Sequence, residues 1–62
     1  MRDVYLVIGQ LPDGDGGYNP PAILYIGDTH SEAGFALGDI MRKHDPQIPR
    51  DVHILRCQSV DE

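Results

Sequence analysis

One cysteine, Cys57, is all the thiol chemistry that this 62-residue sequence carries, which excludes an internal disulfide. Its three histidines, His30, His44 and His53, are scattered rather than grouped at ligand spacing, so no structural metal and no cofactor is expected. Basic residues are also scarce. Arg2, Arg42, Lys43, Arg50 and Arg56 stand against 10 acidic residues, giving a net charge of -5, and no basic run exceeds two. Such a chain is repelled by phosphate backbones, so direct nucleic-acid binding is disfavoured. No apolar run is long enough to span a membrane. Met1-Arg2-Asp3, followed by a run that breaks at Gly9-Gln10, fits no signal peptide, and we read the chain as cytosolic.

What is present is enough for one small domain, residues 1–62. A chain of this length hides only about 60% of its unfolded surface on folding, so its core must be thin and a multi-domain enzyme is excluded. A second copy or a larger partner is the expected source of further burial. The acidic balance suits a partner with a basic protein surface, since complementary potentials speed encounter and select partners. Solubility alone is the plainer explanation of the same charge.

Val4-Tyr5-Leu6-Val7-Ile8 reads as a strand that is apolar on both faces, with Val4, Leu6 and Ile8 on one and Tyr5 and Val7 on the other, as in a central strand. Leu11 to Pro21, dense in Gly, Pro, Asp and Asn, reads as a long mobile loop. Ala22-Ile23-Leu24-Tyr25-Ile26 is a second strand that forms a hairpin with the first. Thr29 and Glu32 fit a capping box at a helix start, with Ser31 as a competing cap. Ala33, Ala36, Leu37, Ile40, Met41 and His44 then form one apolar stripe, which Asp45-Pro46 ends. Val52 to Val60 is a third strand, and Asp61-Glu62 reads as frayed. The expected fold class is therefore α+β, in the order β-β-α-β. A three-stranded antiparallel sheet of order 2-1-3 puts the doubly apolar first strand in the middle. One helix covers one face, so either the Tyr5/Val7 side or the Val4/Leu6/Ile8 side lacks a roof within the chain.

Tyr5 in the first strand, followed by Tyr25-Ile26-Gly27 at the end of the second, resembles the opening of the GIY-YIG nuclease superfamily over about two-thirds of the chain. That resemblance implies a β-hairpin bearing two tyrosines that activate and position a water, here Tyr5 and Tyr25. It also implies an early-helix arginine and a metal-binding glutamate on a later helix. This chain has Ala33, Gly34 and Phe35 where the arginine should fall, its nearest arginine is Arg42, and no later helix is present. Metal-assisted phosphodiester hydrolysis needs charge stabilisation that two tyrosines do not supply. Packing aromatics chosen for a sheet are the alternative reading of Tyr5 and Tyr25.

Asp13-Gly14-Asp15-Gly16-Gly17 lacks the ligands that a calcium loop needs at positions 5 and 12, where Gly17 and Leu24 stand. His53 and Cys57 share a strand face but lie roughly 13 Å apart, too far for one zinc or for a thiol and its base. Cys57 is read as a small buried packing residue.

The helix surface opposite the stripe is more informative. It carries Phe35, the chain's only phenylalanine, with Gly34, Gly38, Asp39 and Arg42. Each of those glycines weakens the helix by about 1 kcal/mol relative to alanine. An outward aromatic beside an arginine is the chemistry of an interface hot spot. The competing expectation is that Phe35 folds over the 11–21 loop near Tyr18. The resulting reading is a non-catalytic protein-binding module, an acidic inhibitor or regulator of a nucleic-acid-handling complex. In size and acidity it resembles phage-encoded anti-CRISPR and anti-restriction proteins. A GIY-YIG-like nuclease module and a homodimeric structural protein are the alternatives.

Overall fold

The computed structural model describes residues 2–59. Val60, expected in the third strand, and Asp61-Glu62, expected to fray, lie outside the described residues. The elements are β1 (Arg2–Gln10), β2 (Ala22–Gly27), α1 (His30–Lys43) and β3 (Arg50–Ser59). All strand pairing is antiparallel and the sheet order is β2-β1-β3, so the fold is the α+β arrangement expected from the sequence. β1 and β3 run longer than their apolar cores because they pair along nearly their whole length, from Arg2 opposite Ser59 to Gln10 opposite Arg50. The ladder carries polar residues at both ends that periodicity alone does not assign to a strand.

The helix roofs the Tyr5/Val7 side. Val7 and Ala33 are fully buried there, and the Tyr5 ring meets the His30 ring edge-on at 5.7 Å. The stripe residues Ala36, Leu37, Ile40, Met41 and His44 are all half-buried. Thr29 is the N-cap, its Oγ1 accepting from Glu32 N at 3.1 Å, and Ser31 lies within the helix. Glu32 Oε1 accepts from Asp28 N at 2.9 Å, one residue earlier than the capping box predicts. Arg42 and Lys43 stand at the negative end of the helix dipole, and His44 caps it.

A β-bulge fixes which residues of β2 share a side. Val7 pairs with Tyr25 but Ile8 pairs with Ile23, leaving Leu24 as an extra residue. Leu24 and Tyr25 therefore both turn toward the helix, where they line one groove. Ile23 and Ile26 turn the other way. That second face carries Val4 beside Cys57, the row Ile26, Leu6, Leu55 and the row Ile23, Ile8, His53. No element of the described residues covers it: Ile26, Ile23 and Leu55 are 60%, 55% and 45% exposed. Cys57, expected to be buried, is half-buried because it belongs to this open face.

β3 carries a second bulge, where Asp51 and Val52 together oppose Gly9. Asp51 has a φ of 56°, the left-handed region that aspartate tolerates better than most residues. Gly9 permits close contact: a Cβ there would sit 2.8 Å from Val52 Cγ2 and 3.3 Å from Val52 Cα.

The loop from Leu11 to Pro21, expected to be mobile, is fastened along its length. Asp13 Oδ1 accepts from Asp15 N at 2.8 Å and Gly17 N at 3.1 Å, and Asn19 N donates to Leu11 O at 2.8 Å. Tyr18 ties it to the rest of the chain, its hydroxyl donating to Ile48 O at 3.0 Å.

Candidate functional site

Helix geometry places Phe35, Gly38, Asp39 and Arg42 together on the outer surface of α1, because residues three and four apart are neighbours there. Phe35 is 82% exposed, the highest value among the large apolar side chains that stand out from the surface. It does not fold over the 11–21 loop. Tyr18, the partner that reading required, is held instead by Ile48 O and by Arg50, whose guanidinium carbon lies 4.6 Å from the ring centre. An ideal Cβ at Gly34 would meet nothing within 4 Å, so this position is a notch beside Phe35 open to an approaching surface.

Asp39 and Arg42 are not independent charges. Arg42 Nη2 lies 3.4 Å from Asp39 Oδ1, and Lys43 Nζ lies 3.3 Å from Asp39 Oδ2. These pairs are exposed and contribute little to stability, so the side chains are free to be exchanged onto a partner. Arg42 also lies over Gly38, with Nη1 3.9 Å from where a Cβ would be.

The structure adds a feature that the sequence pattern did not reveal. Between α1 and β2 runs an open groove of about 670 Å³, lined by Leu24, Tyr25, Phe35, Ala36, Asp39 and Lys43 among others. Phe35 stands on one bank and Tyr25, 37% exposed, on the other. Lys43 was signalled only by spacing, four residues after Asp39 and eight after Phe35. Leu24 and Tyr25 reach the groove together because of the bulge, which depends on strand pairing.

Tyr5 and Tyr25, the two tyrosines of the nuclease resemblance, lie on the same helix-covered face. Gly27 stands opposite Tyr5 in the register, and a Cβ on Gly27 would sit 2.9 Å from Tyr25 Cε2, so the Tyr25 ring leans across the space beside Tyr5. Arg56 stands opposite Tyr5 on the other side. The early-helix positions carry Ala33, fully buried, then Gly34 and Phe35, so the arginines at this end of the sheet, Arg56 and Arg2, come from β3 and β1 rather than from the helix.

Among the described residues, no three His, Cys, Asp or Glu side chains are grouped to hold a metal ion. His53 and Cys57 share the open face with Leu55 between them. No described helix is long and apolar enough to cross a membrane. No family model, curated protein or solved structure matches the chain.

Proposed function

We infer that the chain is a non-catalytic protein-binding module whose outer helix surface engages a larger partner. The observation that carries this reading is Phe35, 82% exposed on the helix, beside the open position at Gly34 and the Asp39–Arg42 pair. An aromatic anchor costs little side-chain entropy to immobilise, and an adjacent arginine supplies a directional contact. Around this anchor, the acidic residues that give the chain its net charge of -5 meet a basic surface on the partner. An inhibitor or regulator of a nucleic-acid-handling complex, of the anti-CRISPR or anti-restriction kind, fits that chemistry, since such complexes expose basic surface for phosphates.

The test is affinity capture from lysate with the tagged chain and its Phe35→Ala and Arg42→Ala variants. The wild type should recover one stoichiometric nucleic-acid-handling complex. Both variants should lose most of it while keeping the wild-type circular dichroism spectrum. Equal capture by all three refutes the helix-surface reading.

A second reading, a nuclease module completed by another chain, rests on Tyr5 and Tyr25 sharing one face with Arg56 in the adjacent register. Incubation with plasmid and Mg²⁺ or Mn²⁺ separates the two. Cutting that disappears in Tyr25→Phe would replace the binding reading.

A further inference from the structure

We propose that the open face of the sheet closes against the same face of a second copy. The two three-stranded sheets then stack, and the two helices lie on opposite outer sides. This goes beyond the helix-surface reading, leaves Phe35 free in both copies and makes the assembly bivalent.

The described residues contain only two fully buried apolar side chains, Val7 and Ala33, both on the helix side. On the other side Leu6, Ile8, Ile23, Ile26 and Leu55 form a continuous apolar surface three strands wide. Such a surface exposes on the order of 400–600 Å², about the largest patch an ordinary monomer shows. Face-to-face contact would remove roughly 1,000 Å² from water in all, the threshold of a specific interface and below the standard size. The dimer is therefore concentration-dependent rather than permanent.

The charge of this face selects a second copy over a basic partner. None of the strand residues projecting from the middle of this face is acidic. Val4, Leu6 and Ile8 come from β1, Ile23 and Ile26 from β2, and His53, Leu55 and Cys57 from β3. His53 Nδ1 lies 3.0 Å from Asp51 O in its own strand. At the rim, Asp28 is matched by Arg2, whose Nη2 lies 3.8 Å from Asp28 Oδ1. Among the described strand residues in the middle of this face, a basic surface finds no carboxylate to pair with. Between two copies of net charge -5, contact through a face whose central described residues carry no carboxylate avoids that repulsion. Stacked sheets also interdigitate their inner side chains at a separation of about 10 Å, and rows of Ile and Leu on both sides suit that packing.

Sedimentation equilibrium of the full chain, from low to high micromolar concentration, tests the proposal. The mass should rise toward twice the 6.9 kDa of one chain. Ile26→Glu and Leu55→Glu alter side chains already exposed in the monomer. Each should weaken association by more than about a hundredfold, because the interface would bury an unpaired carboxylate. Phe35→Ala should leave it unchanged. Should either glutamate variant fail to fold, isotope-filtered methyl NOEs on mixed-labelled wild type read the contact directly, between Ile23, Ile26 or Leu55 of one copy and the open face of the other. A mass of one chain at every concentration overturns the proposal. So does a dimer that survives both glutamate substitutions, or one whose intermolecular NOEs gather at Phe35.

Discussion

The guanidinium carbon of Arg50 lies 4.6 Å from the centre of the Tyr18 ring, joining the β1–β2 loop to the first residue of β3. The same ring donates through its hydroxyl to Ile48 O. Tyr18→Ala should destabilise the fold by about 1–2 kcal/mol, combining an exposed cation–π contact with one hydrogen bond. Tyr18→Phe keeps the ring and should cost about 1 kcal/mol or less. Urea unfolding midpoints measure both, and a Tyr18→Ala midpoint equal to wild type would show that the contact contributes nothing.

At the helix start, the hydroxyl of Thr29 satisfies the backbone N–H of Glu32. Thr29→Ala should cost about 1 kcal/mol. For a domain of this size that lowers the midpoint of thermal unfolding by roughly 4–8 °C. Thr29→Ser, which keeps the acceptor, should stay close to wild type in the same melt followed by circular dichroism.

Two buried glycines separate backbone crowding from side-chain crowding. A methyl at Gly9 would press on Val52 Cα and Cγ2, and the backbone atom cannot step aside without moving β3. Gly9→Ala should therefore cost about 1–3 kcal/mol. A methyl at Gly27 would meet the Tyr25 ring at 2.9 Å and the Glu32 carboxylate and Cβ at 3.2 and 3.3 Å; the ring can turn aside, and none of these three atoms belongs to the backbone. Gly27→Ala should be the milder change in denaturant, with its effect visible as shifted Tyr25 ring resonances. The reverse ranking would contradict this packing.

The carboxylate of Asp13 organises the turn that follows it by accepting from two backbone donors. Asp13→Ala removes both acceptors, and limited proteolysis between Gly14 and Gly17 should become faster. Asp13→Asn retains a side-chain oxygen and should be cut at nearly the wild-type rate. Equal cleavage of Ala and Asn variants would mean that other contacts hold the loop.

The element order, the strand order and the side of α1 that meets the sheet were legible because each rests on local pattern. Val4 to Ile8 is apolar on both faces and so belongs in the middle, and the Ala33-to-His44 stripe has one period. Which sheet face the helix would cover was not legible, since both faces of β1 are apolar. It follows from the Tyr5 ring meeting His30 of the helix, with Val7 and Ala33 both fully buried. The bulges at Leu24 and Asp51 arise from how strands pair across the sheet, which no single strand encodes. The fastening of the loop was also hidden, because Tyr18 finds its partners at Ile48 and Arg50, some thirty residues further along. Phe35 was correctly read as pointing away from the stripe, whereas the groove beside it needed Leu24 and Tyr25 on the same side.

Leu24 gives β2 a spare residue. In a regular strand, losing one position turns every later side chain inside out, exchanging core for surface. Here Ile23 and Ile26 already project to the same side with two residues between them, so a deletion at Leu24 restores plain alternation and leaves both isoleucines and Tyr25 where they were. β2 can thus absorb a change in length at the one point where such a change would ordinarily be ruinous.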